Sequence, residues 1–178
     1  MTAPKKPTLL LLHGTGGTEH DLIPLASRID PEANVLSVRG NVLENGMPRF
    51  FRRLSEGVFD EAAEKYSFDR QNIVAIGYSN GANIAGSLLF HYSDALAGAI
   101  LHHPMVPRRG VKLPDLTGKN VFIGAGTNDP ICSPEESEEL KSLLENAGAN
   151  VELFWDNMGH QLTMREVEAA SAWFTSNY

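Results

Sequence analysis

Very little in this chain is suited to an oxidising exterior or to a polyanionic partner. It contains one cysteine, Cys132, so no disulfide can form within it, which fits a reducing compartment. It has no surplus of positive charge. Its 15 Lys and Arg stand against 22 Asp and Glu, a formal net charge of −7, and this excludes the basic surface that nucleic acid or an anionic membrane would require. No apolar run is long enough to cross a bilayer, and Met1–Pro7 leads only into the short run Leu9–Leu12, so membrane insertion is not expected and cytoplasm is the expected location. Repeats and low-complexity tracts are missing as well. What remains, 178 residues of which 42% are hydrophobic, suits one domain over residues 1–178 with a single core.

Short apolar runs alternate with helical patterns along the whole chain. Strands are expected at Thr8–Leu12, Asn34–Val38, Asn72–Ile76, Ala97–His102, Val121–Gly126 and Val151–Trp155. The first is apolar at every position after Thr8, as a strand buried on both faces would be. Helices are expected from Thr18, with Leu22, Ile23, Leu25, Ala26 and Ile29 inward, and from Gly81 to Phe90. Another begins at Ser133-Pro134-Glu135-Glu136 and runs to Asn146, and a last one covers Thr163–Thr175. Between the second and third strands, Phe50, Phe51, Leu54, Val58, Phe59, Ala62, Ala63 and Tyr66 recur at roughly helical spacing, broken by Gly57. Such alternation predicts an open parallel sheet of about six strands with helices on both faces.

One stretch stands out against that background. Gly77-Tyr78-Ser79-Asn80-Gly81 lies between an apolar strand and an Ala-rich helix. In that context Gly-x-Ser-x-Gly forms a sharp turn that holds the serine in a strained conformation above the sheet, beside the amides of a helix N-terminus. The flanking glycines are required because the backbones pass too closely for a side chain.

Functional groups of such a sheet collect at the carboxyl ends of its strands. Ser79, Asp129 and His160 fall there, in the order nucleophile, acid, histidine. In these roles His160 takes the Ser79 proton and later protonates the leaving group, while Asp129 fixes the imidazole tautomer. Asp115 and Asp156 compete with Asp129 for the acid's place. The loop Gly14-Thr15-Gly16-Gly17 matches neither a P-loop nor the dinucleotide pattern Gly-x-Gly-x-x-Gly. It reads as half of an oxyanion hole, with the Thr15 and Asn80 amides as donors and Gly16 as the alternative to Thr15.

Other polar residues read more plainly. His13 suits a structural role in the glycine loop, and His20 and His91 suit solvated helix positions. His102 and His103 close a strand, but no accompanying cluster has metal-ligand spacing, so no metal is expected. Cys132 reads as an inert thiol. Arg49, Arg52 and Arg53 form a local basic cluster, read either as a solvated helix face or as a carboxylate-binding patch.

The segments Leu11–Gly17, Val38–Asn41, Gly77–Asn83 and Gly126–Pro130, with Gly159-His160, together resemble the α/β-hydrolase fold. The resemblance is closer to its small phospholipase/carboxylesterase branch, which includes bacterial carboxylesterases, acyl-protein thioesterases and hydroquinone-associated hydrolases. It covers essentially the whole chain. It implies a cofactor-free serine hydrolase of carboxylic esters or thioesters, with a lysophospholipase as a further alternative and a non-catalytic binding protein as the reading from another class. Two departures from the family pattern are visible. The antiparallel hairpin that usually precedes the His-Gly strand has no room before Thr8, which leaves a sheet edge that a homodimer could cover. The crossover from Gly57 to Asp69 is shortened. Pro104–Gly118 is also too short for a lid domain. An open site for small or short-chain esters is therefore expected, walled by Met105, Val106, Trp155, Met158 and Leu162 with Gly16 at its edge.

Overall fold

The structure, a computed structural model, describes residues 6–50 and 70–178. The crossover pattern from Phe51 to Tyr66, the Gly57–Asp69 segment, and Arg52 and Arg53 lie outside the described residues.

Six strands form one sheet: β1 (Thr8–Leu12), β2 (Asn34–Val38), β5 (Ile73–Tyr78), β6 (Gly98–His102), β7 (Asn120–Gly126) and β8 (Asn150–Asp156). Their order is β2-β1-β5-β6-β7-β8 and every neighbouring pair is parallel. The six expected strands are thus all present, within a residue or two of the predicted ends. Among the described residues no antiparallel strand extends this sheet, and β2 forms its edge. Four helices accompany it: α1 (Ile23–Ile29), α2 (Asn80–His91), α3 (Pro134–Asn146) and α4 (Met164–Asn177). None of the described helices is long and apolar enough to cross a membrane.

Side-chain alternation along the strands divides the core in two. Leu10, Leu12, Ile73, Ala75, Leu101 and Ile123 face Ala82, Ala85 and Leu89 of α2 and Leu140 and Leu144 of α3. Leu9, Leu11, Val74, Ile76, Ile100 and Phe122 face the opposite way, against Leu25, Ala26 and Ile29 of α1 and Val167, Ala170, Trp173 and Phe174 of α4. Both faces of the central strands are buried, which is why they are apolar without interruption.

The chain steps from β1 outward to β2, then returns to the far side of β1 as β5 and proceeds outward to β8. Strand order therefore reverses between β1 and β5. Ligands of open α/β sheets bind outside the carboxyl ends of the strands at such a reversal. The loop after β1 and the turn after β5 meet there.

Two local expectations are corrected. Thr18 does not begin a helix: it bonds the Asp21 side chain and the His20 amide in a turn, and α1 starts only at Ile23. Pro24 sets that start, because its ring fits the first helical turn and would disrupt a later one. Ile23 is consequently exposed rather than inward. A small antiparallel hairpin, β3 (Val42–Glu44) and β4 (Met47–Arg49), adds an element outside the expected strands. Its turn residues Asn45 (φ 52°) and Gly46 (φ 78°) form an Asn-Gly hairpin turn, the strongest short-range hairpin signal a sequence carries.

The connection between β6 and β7 contains no helix or strand. It is tied to α3 instead: Glu136 accepts from the Val106 amide at 2.9 Å, and Arg109 bridges Glu136 and Glu139.

Close approach dominates the turn after β5. A Cβ on Gly81 would lie 1.8 Å from the Leu12 carbonyl oxygen, and one on Gly77 2.5 Å from the Ala82 nitrogen. Gly118, by contrast, has φ +80° but open space around it. Gly118→Ala should therefore cost about 1–2 kcal/mol of left-handed strain alone. Gly81→Ala should cost more than about 3 kcal/mol, because backbone must move on both sides. Chemical denaturation of both variants checks this; equal losses would contradict it.

Candidate active site

Ser79 is the residue where β5 turns into α2. Its backbone has φ 51° and ψ −111°, a conformation that costs about 1–3 kcal/mol and survives only when its surroundings enforce it. They do so here. The Ser79 amide donates to the His102 carbonyl on β6 at 2.9 Å, and the Ser79 carbonyl accepts the Asn83 amide at 3.0 Å in the first turn of α2. The side chain is left partly exposed above the sheet.

The structure brings the three expected side chains together. Ser79 Oγ lies 2.9 Å from His160 Nε2, and His160 Nδ1 lies 2.7 Å from Asp129 Oδ2. Because an ionised carboxylate only accepts, His160 carries its proton on Nδ1 and leaves Nε2 free to accept from the serine hydroxyl. Tyr78, one residue before the serine, donates its hydroxyl to the His160 carbonyl at 2.6 Å and so anchors the histidine loop. Burial raises the Tyr78 phenol further above its ordinary value, helped by the Asp129 and Glu166 carboxylates, and keeps it a donor.

Asp129 is buried just past the end of β7. Its Oδ1 accepts the Ile131 amide at 2.8 Å and the Cys132 amide at 2.9 Å. Burial alone would raise its carboxyl, but those two amides, with His160 and His103, outweigh burial and hold it below the usual carboxylate range. The two competing acids are occupied elsewhere. Asp115 bonds Thr117, and Asp156 bonds Thr163 and Arg165.

The glycine loop is braced by His13, whose Nδ1 donates to the Gly14 carbonyl at 2.7 Å and whose Nε2 accepts the Gly40 amide at 3.0 Å. Buried and tilted against Phe50, His13 is structural, as its sequence context implied. The Gly16 amide is spent on the Pro48 carbonyl of the hairpin at 3.0 Å, which leaves Thr15 as the loop's candidate donor. Asn80 is the first residue of α2, so its amide has no partner within the helix.

The expected pocket walls divide into two groups. Met105 and Met158 are exposed and Trp155 is half-buried, while a Cβ on Gly16 would meet Met47 Sδ at 3.5 Å. Val106 is buried in the core on the α2–α3 side, and Leu162 packs against the core on the α1–α4 side. Both of these therefore serve the core more than a cleft. Met47, exposed on the unforeseen hairpin and adjoining Gly16, is the apolar side chain at the glycine loop that pattern reading missed.

Three further buried residues extend the site. His103 Nδ1 lies 2.9 Å from Asp129 Oδ2, and His103 Nε2 lies 3.1 Å from Glu166 Oε2. Glu166 Oε1 in turn lies 2.5 Å from His102 Nδ1. Glu166 sits in the first turn of α4, where Thr163 caps its amide, and its side chain runs inward beneath the sheet's end. Only a glycine at 124 makes room, since a Cβ there would lie 1.9 Å from Glu166 Oε1. Burial opposes ionisation of Glu166, but the two histidines outweigh it and bring its carboxyl down to about 2. Burial pushes the Cys132 thiol up to about 12, so it is inert as a nucleophile.

Among the described residues, His103, Asp129 and His160 are the group whose ligating atoms converge tightly enough, within 4.8 Å, to suit a metal ion. The facing nitrogen of each imidazole is at hydrogen-bonding distance from the same Asp129 oxygen. Shared protons account for the convergence.

Known proteins resemble this chain in both sequence and fold. A model of the dienelactone hydrolase family matches residues 38–174. A protein of Bacillus subtilis (strain 168) named "Putative hydrolase MhqD" is 59% identical over 93% of this chain and 91% of its own length. Among solved structures, the Bacillus cereus carboxylesterase is 67% identical with a TM-score of 0.93, over 97% of this chain and 89% of its own. YahD, solved with malic acid, is 34% identical with a TM-score of 0.89, over 97% and 94% of the two chains. The fold is that of an α/β-hydrolase, the chemistry is hydrolysis of the carboxylesterase type, and the chain belongs to the dienelactone hydrolase family.

Proposed function

We propose that this chain is a serine hydrolase that cleaves small carboxylic esters through an acyl-serine intermediate. The observation that carries the reading is the pair of aligned contacts, Ser79 Oγ to His160 Nε2 at 2.9 Å and His160 Nδ1 to Asp129 Oδ2 at 2.7 Å. Ser79 Oγ attacks the ester carbonyl carbon as His160 Nε2 takes the hydroxyl proton. The resulting oxyanion is held by the Thr15 and Asn80 amides. As the tetrahedral intermediate collapses, the carbon–oxygen bond to the alcohol breaks and His160 returns the proton to that oxygen. Water then repeats the sequence, giving the proton to His160 and its oxygen to the acyl carbon, and Ser79 is released with its proton restored. Throughout, Asp129 remains the acceptor that balances the charge on the imidazolium.

Small substrates are favoured by the connection between β6 and β7, which has no regular element that could act as a lid. The malic acid of the YahD structure, a small hydroxy acid, is a ligand of the same scale. Met47, exposed beside the glycine loop, offers a flexible apolar wall there.

Ser79→Ala should lower the hydrolytic rate by at least about four orders of magnitude with the fold intact by circular dichroism. Retained turnover would overturn the assignment. Across p-nitrophenyl esters from acetate to palmitate, kcat/KM should peak at the short chains; a maximum at long chains would instead favour a thioesterase or lysophospholipase. Met47→Ala should raise KM for the preferred short ester by about 3- to 10-fold with little change in kcat, since it removes wall area rather than a reacting group. An unchanged KM would take Met47 out of the site.

A further inference from the structure

His103 is not needed by the hydrolytic cycle just described, yet it is one of the most constrained residues in the chain. Apart from Asn45 in the hairpin turn, Ser79 and His103 are the described non-glycine residues with positive φ, at 51° and 53°. That backbone is uncommon for any residue other than glycine and persists where the surroundings enforce it. The His103 amide is held by the Gly124 carbonyl at 2.8 Å, which fixes the ring between two buried acids.

The proton count on that ring follows from its neighbours. Nε2 faces Glu166 Oε2 at 3.1 Å and Nδ1 faces Asp129 Oδ2 at 2.9 Å. Both carboxyls are held below their ordinary values, so both are acceptors only. A neutral imidazole has one N–H and would set a lone pair against one of the two anions. Only the doubly protonated ring satisfies both contacts. We propose that His103 is a buried imidazolium bridging Asp129 and Glu166, and that it acts as a positioning residue which sets how much negative charge Asp129 presents to His160.

The remaining groups around the ring are neutral or already paired. The His160 ring lies edge-on at 5.2 Å and the Tyr78 ring at 6.0 Å, its phenol raised. The Cys132 thiol donates to the His103 carbonyl and stays protonated. His102 donates Nδ1–H to the other Glu166 oxygen. Burial disfavours charge on His103, but Glu166 and then Asp129 outweigh it and hold the imidazole above its ordinary value. The Asp129–His103–Glu166 chain thus carries one net negative charge, spread over two carboxylates. Without the cation, the full charge of Asp129 would fall on His160, which would hold its proton more tightly and be available as a base only at higher pH.

This inference rests on the serine-hydrolase reading for its kinetic consequence, while the charge state of His103 can be tested without any turnover. Nitrogen-15 NMR of the histidine side chains, recorded on the inactive Ser79→Ala protein, should show both His103 nitrogens protonated at neutral pH. One nitrogen with the shift of an unprotonated imidazole would overturn the proposal whatever the enzyme hydrolyses. In the active protein, His103→Gln should move the acid limb of the kcat/KM profile to higher pH by about one unit, with rates largely recovered on the alkaline side. A uniform loss at every pH with an unmoved limb would mean that His103 is only packing. The stability that His103 contributes should be fully present below its unfolded value and be lost as pH rises through its raised folded value. Thermal unfolding of wild type against His103→Gln should therefore differ most at low pH, and a difference that grows with pH would contradict the assignment.

Discussion

Four N–H groups converge on the carboxylate of Asp129: the Ile131 and Cys132 amides on one oxygen, and the His160 and His103 rings on the other. A buried anion is stable only when its lone pairs are met in this way. The rest of the site hangs from that requirement. The amides come from the turn that leads into α3, His160 from the loop after β8, and His103 from the end of β6. One carboxylate thus fixes three segments relative to each other. Ser79 is fixed separately, by the strained turn between β5 and α2, and His160 joins the two assemblies.

That division explains how rigidity is distributed. The serine's position is enforced by backbone contact, since Gly81 lies against the Leu12 carbonyl and the Ser79 amide is held by His102. The histidine's position is enforced by hydrogen bonds to Asp129 and Tyr78. A serine held by close backbone contact and a histidine held by polar contacts can meet at 2.9 Å without either relaxing the other.

Much of this could be read from the sequence, for identifiable reasons. Parallel strands buried on both faces must be apolar throughout, so Thr8–Leu12 and Ile73–Tyr78 announce themselves. The glycines of Gly77-Tyr78-Ser79-Asn80-Gly81 are demanded by contacts that no other residue permits. Asp129 and His160 could be placed because strand ends are where such a fold collects polar groups. Other features resisted reading. Glu166 occupies the first turn of a helix, where an acid ordinarily faces solvent and complements the dipole. Nothing in its spacing shows that it turns inward, and only Gly124, forty-two positions earlier in the chain, provides the space. His102 and His103 show no partner in the sequence pattern, because that partner is Glu166. The hairpin's Asn45-Gly46 signal was present but flanked by strands of only three residues, too short to register as a pattern. Pro24 was visible too, and its effect is to delay α1 rather than to interrupt it.

On the proposed function, the strained serine is the group that bonds to substrate. Intact-mass and peptide mapping after exposure to a fluorophosphonate probe tests it most directly. A single phosphonyl group should form on Ser79, rapidly in the wild type and far more slowly in His160→Asn. Label on any other residue, or a wild type that resists the probe while remaining active on esters, would contradict it.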